Sequence, residues 1–579
     1  MKVLLLHPED TFPLYRSPVR WDLVVDLART PSATYEHWSR EAGCEIFSLY
    51  RFAAEFGDVG RVRELLELGL GVMVDRSGID WWDLLCLFIA GELQQLMLVR
   101  RLSKELSRGC ELYSSRPHPL ASALQRLLGT RLTILESRFQ SAIHRVEHYH
   151  HAFSNLDAPQ LAQVLEDKIG ALQSIRRLFT CRSHTSGQPV ILLPSAYINV
   201  SRAARSYAES LPDHRFLFVH TRSSANLTSL PPNVRSTSLA PYFVPSDKKE
   251  TAFLLESWNS LRRKLIDCAE EFNAADAMGA LERVPALMPW GIALRDAWSQ
   301  VFESEDVIGC LSGDDSNPPS SIPLIMAKQR GFPALACHHG ALDYAMAIKV
   351  NHADFYLVKT EMERDYLRRT CHLAAEKIVL AGPASSKPSP SRCVARHSAP
   401  WLVFFTEPYA SYGWRSDDLY RDLLPPLCSL AQACGLRLVF KLHPFDSVKG
   451  HRRMLRRLVP KHEHSIEVVA GRPSDELWKS IRFALTVQSS TALECASRGI
   501  PIFLCAWMRD PYSGYVQQYA RFGVGHVLES VEQIEQIPEL LESHNGKPLQ
   551  KQPAYGAINS RELVDLFSGT YSLPVASNA

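Results

Sequence analysis

The second half of the chain alternates short, strongly apolar runs with stretches of helical periodicity, and this alternation restricts the fold more than any other feature. The first two runs lie at Val307–Leu311 and Ala334–Cys337, and a helix predicted over Ile322–Arg330 separates them. Gly331 follows that helix and Pro333 comes soon after, which is an expected way for a helix to end. Repeated strand–helix units predict parallel sheets that are covered by helices on both faces. Further predicted strands are Phe355–Val358, Ile378–Leu380, Trp401–Phe405, Leu436–Lys441, Ile466–Val469, Phe483–Val487 and Ile502–Cys505.

The order of these patterns divides the chain into segments. Residues 1–117 mix short apolar runs with helical patterns, whereas residues 118–185 look helical throughout. In the first segment we predict strands at Val3–Leu6, Leu23–Val25, Glu45–Leu49 and Val72–Val74. The complete prediction is an N-terminal α/β segment (1–117), a helical segment (118–185), a Rossmann-like domain (186–382), a Pro- and Ser-rich linker (383–400), a second Rossmann-like domain (401–545) and a C-terminal helix and tail (546–579).

Composition narrows the classes of function. Lys and Arg number 64 and Asp and Glu number 62, so no global positive charge favours nucleic-acid binding. The longest apolar stretch, Trp81–Ala90, is far shorter than the roughly 20 residues that span a bilayer. The apolar run at Met1–Leu6 is too short for a signal sequence. The 13 cysteines are scattered without a Cys-x-x-Cys pair, which argues against a disulfide framework or a structural zinc site. We therefore expect a cytoplasmic protein.

The segment Gln488–Pro501 is the strongest candidate for a ligand site. It follows a predicted strand and consists of hydroxyl residues, one short helix and a Gly and Pro stop. A helix N-terminus offers unpaired N–H groups and roughly half a positive charge, and Ser489 and Ser490 add hydroxyl donors. The segment therefore predicts a phosphate site. Thr491 and Glu494 are expected to belong to the same nucleotide site, with Glu494, one helical turn inside it, facing a ribose. The alternative is that Thr491 and Glu494 form only a capping box, Thr-x-x-Glu.

A second candidate follows an earlier strand of the same predicted domain. Lys441, which is expected to bind the donor phosphate or nucleotide, ends an apolar run, and a His-Pro pair follows it. Proline stops a sheet and turns the chain outward, which places His443 at the same edge as Ser489. A histidine with a pKa near about 6.5 can donate to a phosphate or protonate a leaving group. The alternative is a strand-end histidine bonded to a backbone carbonyl. Thr406 and Glu407, which follow another strand, are expected to line the same site unless they form a plain βα loop.

The two motifs together resemble a pattern found in bacterial glycosyltransferases of surface polysaccharides. That set includes sialyl- and polysialyltransferases, capsular Kdo transferases and teichoic-acid glycerophosphotransferases, and the resemblance covers about residues 400–540. It implies a GT-B fold, in which two Rossmann-like domains face a cleft, here with a helical insertion in the N-terminal half. In the members that use CMP-sugars, the histidine and serines hold the nucleotide phosphate. The resemblance gives those roles to His443, Ser489 and Ser490.

The first predicted Rossmann-like domain supplies candidates for a catalytic base. A His-His-Gly sequence at a strand end is similar to an element of the same proteins, and His339 matches a candidate base of the glycerophosphotransferases. Asp314 and Asp315 follow the preceding strand, where a carboxylate can deprotonate an acceptor hydroxyl. Their alternative is a turn with an Asx cap before a helix. Glu9 and Asp10 also follow a strand and are weaker candidates.

Two further patterns receive less weight. The segment His144–His148 fits an inverted zinc-protease motif, but so short a pattern arises easily by chance among 21 histidines. A basic stripe on a predicted helix, Arg452, Arg453, Arg456 and Arg457, is typical of a solvated face and also fits contact with anionic lipid or a lipid-linked acceptor. The sequence contains no Walker A loop and no G-x-G-x-x-G after its first strand, which argues against nucleotide hydrolysis and dehydrogenation.

These patterns favour a metal-independent glycosyltransferase that moves a sugar from a nucleotide-activated donor, with a CMP-sugar as the first choice. The expected acceptor is a surface glycan, such as a capsule polysaccharide, or a glycolipid. Neither a cofactor nor a nucleic-acid partner is expected, and peripheral contact with the cytoplasmic face of the inner membrane is a further hypothesis. Two alternatives are open: transfer of a polyol phosphate from a CDP-activated donor, and non-catalytic binding of a nucleotide-sugar or glycan.

Overall fold

The computed structural model organises the chain around three parallel β-sheets. In each sheet the buried strands are continuous apolar runs because helices cover both faces. The described residues are 1–8, 10, 20–29, 32–106, 109–135, 187–222, 225–227, 229–244, 247–338, 340, 342, 345–383, 400–409, 413–462, 465–509, 515–543, 556 and 560–569.

The first sheet has five parallel strands in the order β3-β2-β1-β4-β5. Successive side chains of its central strand point to opposite faces, so Val3 and Leu5 join one apolar core while Leu4 and Leu6 join another. Its strands are β1 (Lys2–Leu6), β2 (Leu23–Asp26), β3 (Glu45–Ser48), β4 (Glu111–Ser114) and β5 (Leu132–Ile134). The accompanying helices are α1 (Ser32–Ala42), α2 (Glu55–Glu67), α3 (Trp81–Leu85), α4 (Leu87–Glu105) and α5 (Pro119–Leu128).

This first sheet differs from the prediction in two places. The predicted strand at Val72–Val74 is not formed, because Val74 makes only an isolated antiparallel bridge with Asp80. Conversely, β4 and β5 were not predicted, and β5 lies at Leu132–Ile134, beyond residue 117. The first unit therefore extends into the segment that was predicted to be wholly helical, and residues 136–186 of that segment lie outside the described residues.

The second sheet has seven parallel strands in the order β12-β11-β10-β9-β6-β7-β8. The strand order reverses between β6 and β9, which makes this the topological switch point. Its strands are β6 (Val190–Ser195), β7 (Phe216–His220), β8 (Val234–Ser238), β9 (Val307–Ser312), β10 (Ala334–Cys337), β11 (Phe355–Val358) and β12 (Ile378–Leu380). Its helices are α6 (Ile198–Ala208), α7 (Lys248–Cys268), α8 (Glu270–Ala277), α9 (Arg283–Ser304), α10 (Pro318–Gln329), α11 (Ala345–Ile348) and α12 (Glu361–Arg369).

The third sheet has six parallel strands in the order β15-β14-β13-β16-β17-β18 and reverses between β13 and β16. Its strands are β13 (Trp401–Phe405), β14 (Arg437–Lys441), β15 (Ile466–Val469), β16 (Ile481–Thr486), β17 (Ile502–Cys505) and β18 (His526–Leu528). Its helices are α13 (Ser416–Ala433), α14 (Val448–Leu458), α15 (Asp475–Ser480), α16 (Thr491–Ser497), α17 (Tyr515–Arg521) and α18 (Ile537–Ser543).

The chain then returns to the second sheet. Its last described helix is α19 (Ser560–Ser568), and Leu563 and Leu566 of this helix are buried in the apolar core of the seven-stranded sheet. The return is also fixed by the backbone, since the Gly556 N–H donates to the Lys359 carbonyl over 3.1 Å. The predicted α/β class is confirmed, with two Rossmann-like units as the GT-B arrangement requires and a third parallel sheet ahead of them.

A buried ion pair joins the first sheet to the third unit. Arg415, which precedes α13, donates from Nε and Nη2 to the two carboxylate oxygens of Asp26 over 3.1 and 2.6 Å. The same guanidinium donates to the backbone carbonyls of His7, Pro8 and Asp10. Burial lowers the pKa of Arg415, but the Asp26 carboxylate outweighs it, and the net shift is upward. This contact fills the carboxyl edge of β1 and β2 with protein atoms.

Candidate functional site

The predicted donor-site residues meet at the carboxyl edge of the third sheet. Thr406 and Glu407 follow β13, Lys441 ends β14, and Ser489 follows β16. In the sheet β14, β13 and β16 are neighbours, and β13 and β16 form its switch point. Ligands of such sheets bind in the crevice outside the carboxyl ends of the strands.

Thr406 fixes the turn that carries His443. Its side-chain oxygen accepts the backbone N–H of His443 over 2.9 Å, and its hydroxyl donates to Oδ2 of Asp446 over 2.6 Å. The backbone N–H of Asp446 in turn donates to the carbonyl of His443 over 2.9 Å. The His-Pro turn is therefore held from both ends, by a loop of the neighbouring strand and by its own backbone.

The hydrogen bonding of His443 indicates which of its ring nitrogens carries the proton. Its Nδ1 accepts the backbone N–H of Phe445 over 3.2 Å. A neutral imidazole has one donor and one acceptor nitrogen, so this bond assigns the proton to Nε2. The Phe445 ring lies edge-on to the imidazole, with 5.0 Å between the ring centroids. Nε2–H is therefore the atom that can donate to an anionic ligand.

A buried network supports this turn from beneath. The hydroxyl of Tyr420 and Nε2 of His451 are 3.2 Å apart, and Nδ1 of His451 lies 3.3 Å from the carbonyl oxygen of Ser447. Burial lowers the pKa of His451, and burial likewise raises the pKa of the nearby Asp446. The positive charge of His451 and the hydrogen bond from Thr406 partly oppose the rise at Asp446. Asp446 and His451 were not among the predicted site residues.

Lys441 is the most unusual group at this edge. It is only 5% exposed, and its ammonium donates to the carbonyl of Leu442 over 2.9 Å. In the described part of the chain no carboxylate lies within ion-pair distance of it. Burial, and then the positive charge of Arg202, lower the pKa of Lys441 to about 8, and the charges of Glu494 and Asp446 partly oppose this shift. A buried cation of this kind attracts an anion.

The hydroxyl segment after β16 is held in place by side chains of other elements. Oε1 of Glu407 accepts the backbone N–H of Gln488 over 2.7 Å, and the hydroxyl of Tyr519 donates to the carbonyl of Ser489 over 2.9 Å. The hydroxyl oxygen of Ser489 accepts the backbone N–H of Thr491 over 3.4 Å. Glu407 therefore acts on the backbone that presents the serines, which places it in the site as a support.

The capping-box alternative for this segment is not what the structure contains. Helix α16 begins at Thr491, so that the capping position belongs to Ser490, whose side chain makes no capping hydrogen bond. The carboxylate of Glu494 lies 3.6 Å from the guanidinium of Arg498, one turn further along the helix. Glu494 therefore pairs with a residue further along its own helix, and it does not form a capping box with Thr491. Its negative charge also raises the pKa of Lys441.

Asp314 and Asp315 follow β9, and both are buried. Both carboxylate oxygens of Asp314 already accept hydrogen bonds from neighbouring groups. Its Oδ1 accepts from the backbone and hydroxyl of Ser316 over 2.9 and 2.7 Å, which is the Asx turn considered above. Its Oδ2 accepts from the amide of Asn317 over 2.6 Å and from the hydroxyl of Tyr197 over 2.7 Å. A carboxylate has about four acceptor sites, so these bonds describe an anchor for the loop.

Asp315 belongs to a different hydrogen-bonded network from Asp314. Its Oδ2 lies 2.5 Å from the ammonium of Lys349 and 2.5 Å from the hydroxyl of Tyr356, and all three side chains are buried. Burial, and then the charge of Asp315, raise the pKa of Tyr356 well above its usual value. The pair of predicted bases is therefore divided between two hydrogen-bonded networks, and a role of either as a base stays a prediction.

The remaining candidates, in the first Rossmann-like unit and in the segments before it, are placed only in part. Nδ1 of His338 and the carbonyl oxygen of Gly340 are 3.2 Å apart at the end of β10, and His339 lies outside the described residues. Asp10 is buried, and its Oδ1 pairs with Nε of Arg116 over 2.6 Å. Glu9 and the segment 144–148 also lie outside the described residues.

The basic stripe forms on α14 as predicted, and it is partly paired. Arg457 makes an ion pair with Asp417 of the neighbouring helix, and Arg453 and Arg456 also have interaction partners. Within the described ranges no helix combines the length and the apolarity that a membrane crossing requires.

The carboxyl edges of the second and third sheets face one another, and the contact brings in residues that the sequence did not single out. The ring of Tyr197, at the start of α6, lies 6.3 Å from the ring of Phe445 between centroids. The charge of Arg202, on α6, helps to lower the pKa of Lys441, as noted above. Burial, and then the charge of Arg472, which follows β15, lower the pKa of Arg202 itself. The signal that could have found Arg202 is its place in the second turn of a helix that follows a switch-point strand.

Comparisons with known proteins find similarity in structure alone. No protein-family model matches the sequence, and no curated protein sequence matches it. Solved structures to which the chain is similar include UDP-GlcNAc 2-epimerase from Methanocaldococcus jannaschii, with a TM-score of 0.38 and 11% identity over 67% of this chain and 100% of that one. MurG of Acinetobacter baumannii gives a TM-score of 0.40 and 11% identity over 66% and 99% of the two chains. A variant of the wall teichoic acid polymerase TagF gives 0.37 and 10% over 75% and 98%. Similarity at this level extends to neither substrate nor reaction.

Proposed function

We propose that this chain is a glycosyltransferase that moves a sugar from a nucleotide-activated donor, with a CMP-sugar favoured, to a surface-glycan or glycolipid acceptor without a metal ion. The observation that carries the proposal is the edge of the third sheet, where a buried lysine that lacks a carboxylate partner among the described residues lies beside the His443 turn. Ser489 and Ser490 follow the switch-point strand at the same edge. Such an edge is suited to an anionic phosphate.

The chemistry assigned to these residues concerns the leaving group. The acceptor oxygen attacks the anomeric carbon, the bond from that carbon to the phosphate oxygen breaks, and its electron pair stays on the phosphate. The ammonium of Lys441 and Nε2–H of His443 stabilise the negative charge that develops there, a role that a divalent metal ion fills in other transferases. Ser489, Ser490 and Thr491 add hydroxyl donors to the same group.

The acceptor proton must pass to a base, and our candidates are His339, Asp314 and Asp315. Because Tyr197, Ser316 and Asn317 occupy the oxygens of Asp314, that carboxylate must exchange a partner before it can accept a proton. Closure of the two Rossmann-like units would exclude water, whose attack on the donor competes with transfer. For a lipid-linked acceptor, the basic helix α14 provides the surface that we propose to contact the cytoplasmic face of the membrane.

The test is a calorimetric titration of the intact chain with CMP, CDP, UDP, GDP and ADP, each with and without EDTA. The proposal expects CMP to bind and EDTA to change nothing, and Lys441→Gln to weaken binding. Lys449→Gln is the matched control, because Lys449 is an exposed lysine on α14. Binding of UDP or GDP in preference to CMP would indicate a donor linked to that nucleotide instead of a CMP-sugar. Binding of none of the five would refute the proposal.

Product analysis then separates the reactions. CMP-linked sialic acid and Kdo are the donors to try first. Transfer of the sugar without a new phosphodiester supports the glycosyltransferase, whereas a new phosphodiester formed from a CDP-activated polyol identifies a phosphotransferase. Nucleotide binding with no turnover on any donor would identify a binding protein that uses the same edge.

A further inference from the structure

Helix α12 lies where the chain passes between the two Rossmann-like units, here called the second and third units after their sheets. After Gly382 the chain passes to the third sheet, and it returns at Gly556, whose carbonyl accepts the Gly382 N–H over 2.6 Å. The Gly556 N–H donates to the carbonyl of Lys359, two residues before α12. Hinge motions of domains pivot at their connecting segments. The start of α12 is therefore close to the pivot of the two units.

Helix α17 of the third unit packs against α12. The buried side chain of Gln518 donates from Nε2 to the carbonyl of Met362 and to Oδ2 of Asp365, both over 3.0 Å. Nη2 of Arg521 pairs with Oδ1 of Asp365 over 2.6 Å. A buried amide and an ion pair thus join a helix of the third unit to a helix of the second.

Two further features strengthen this contact. Burial raises the pKa of Asp365, but the hydrogen bond from Gln518 and the ion pair with Arg521 outweigh it, and the net shift is downward. The buried rings of Tyr366 on α12 and Tyr515 on α17 meet edge-on, with 5.9 Å between their centroids. Ring pairs at this distance attract one another. Polar and aromatic contacts together hold α17 in one place on the second unit.

The same helix holds the hydroxyl segment after β16. Tyr519 follows Gln518 in the sequence and is wholly buried, and its hydroxyl donates to the carbonyl of Ser489 over 2.9 Å. That carbonyl also accepts the backbone N–H of Ala492, in the first turn of α16, over 3.0 Å. The rings of Tyr515 and Tyr519 contact each other at 4.6 Å between centroids. A continuous set of contacts therefore runs from α12 through α17 to the hydroxyl segment.

We infer that Gln518 and Tyr519 are positioning residues, through which the second unit sets the place of Ser489 and Ser490 in the donor site. The inference rests on the proposed function and adds regulation to that site, because an orientation of the second unit that displaces α17 also displaces the serines. Gln518 makes the link to the second unit and Tyr519 the link to the serines. Since the two links act in series, the effects of breaking them depend on one another.

Amide hydrogen exchange of the full chain without ligand is the first measurement, with mass spectrometry of peptides that cover residues 487–493. Gln518→Met removes the hydrogen bonds to α12, and Tyr519→Phe removes the bond to Ser489. Each variant should exchange this segment faster than the wild type, and the double variant should exchange it no faster than Tyr519→Phe alone. Tyr242→Phe is the matched control, since it removes an equally buried, hydrogen-bonded tyrosine hydroxyl from the second unit. Wild-type exchange in both single variants would overturn the inference.

Nucleotide affinity is the functional readout, and thermal unfolding verifies that each variant is folded. Gln518→Met and Tyr519→Phe should each bind CMP roughly threefold to tenfold more weakly, the effect of a lost hydrogen bond. The double variant should bind CMP as Tyr519→Phe does, and Tyr242→Phe should bind it as the wild type does. Losses that add in the double variant would show that the two side chains act separately and would overturn the inference.

Failure of the inference and failure of the proposed function give different results. If Gln518→Met and Tyr519→Phe bind CMP as the wild type does while Lys441→Gln does not, the inference is overturned and the proposed function stands. If the wild type binds no nucleotide, the proposed function is refuted and the role of the two residues in a donor site is refuted with it. Faster exchange in both single variants would then show only that α17 holds the hydroxyl segment.

Discussion

Arg415 and Lys441 are both buried cations at the carboxyl edge of a parallel sheet, and their surroundings are opposite. Arg415 reaches the first sheet and is bound by both oxygens of Asp26 and by three backbone carbonyls. Lys441 ends a strand of the third sheet and donates to one carbonyl of its own chain neighbour. In consequence the pKa of Arg415 is raised, whereas the pKa of Lys441 is lowered to about 8.

The difference shows that topology alone does not make a binding site. Each of the three sheets has a switch point, and each therefore has a crevice at its carboxyl edge. In the first sheet an arginine of the third unit fills the edge beside that crevice, and in the second the carboxylates of Asp314 and Asp315 are bonded to neighbouring side chains. Only the third edge combines a buried, uncompensated charge with hydroxyl and imidazole donors, among the residues that are described.

The largest effect is expected from His443→Ala. Removal of a group that stabilises the leaving phosphate should lower the turnover of CMP-linked sugars by roughly a hundredfold to ten-thousandfold. The thermal midpoint should change little, because the ring accepts one backbone hydrogen bond and is only half-buried. His462→Ala is the control, since His462 precedes β15 at the opposite edge of the sheet. Turnover near that of the wild type would remove His443 from the mechanism.

A change at the edge of the first sheet should lower the stability of the protein and leave nucleotide binding unchanged. Arg415→Ala leaves the Asp26 carboxylate buried without its cation, and such a change costs about 3–5 kcal/mol of unfolding free energy. Urea unfolding measures this cost, and Arg421→Ala, which removes an exposed arginine of the same helix, should cost little. Nucleotide affinity of folded Arg415→Ala should equal that of the wild type. A loss of affinity would show that the two edges are coupled and would break the contrast between them.

The pH dependence of nucleotide binding tests the lysine. Only the protonated ammonium attracts a phosphate, so affinity should fall as the pH rises above about 8, by at most about tenfold per pH unit. Because the unfolded chain would hold more protons on this lysine between about 8 and 10.4, its contribution to stability moves the other way and rises with pH. Lys441→Arg keeps its charge over this range and should bind with a flat profile. A wild-type profile that is equally flat would contradict the lowered pKa.

The smallest effect is expected at Glu494. Its negative charge opposes the lowering of the Lys441 pKa, so Glu494→Gln should move the midpoint of the binding profile to lower pH. The shift should be less than about one pH unit, because the Glu494 side chain is 47% exposed and its field is screened. Glu476→Gln, an exposed change on α15, should leave the midpoint in place. A shift to higher pH would reverse the sign of the interaction and reject this arrangement of charges.

Strand prediction was accurate where a continuous apolar run marks a buried strand. The strands Ala334–Cys337, Phe355–Val358 and Ile502–Cys505 have the bounds that were predicted for this reason. The edge strand β5 has three residues that are mostly exposed, and nothing in its sequence distinguishes it from a helix. The helix predicted from Ile322 begins earlier, at Pro318, since Asn317 caps it and proline suits a first turn.

The sequence by itself determined the succession of strands and helices and the polar residues that end the strands, because these depend on patterns a few residues long. It therefore indicated Lys441, His443 and the serines as neighbours at one edge. Only the tertiary structure decided which charges have partners. Arg415 and Asp26 are 389 residues apart in sequence, and the charge of Arg202, on a helix of the second unit, helps to lower the pKa of Lys441 in the third. Ion pairing and burial depend on distances across the folded molecule, and no local pattern contains those distances.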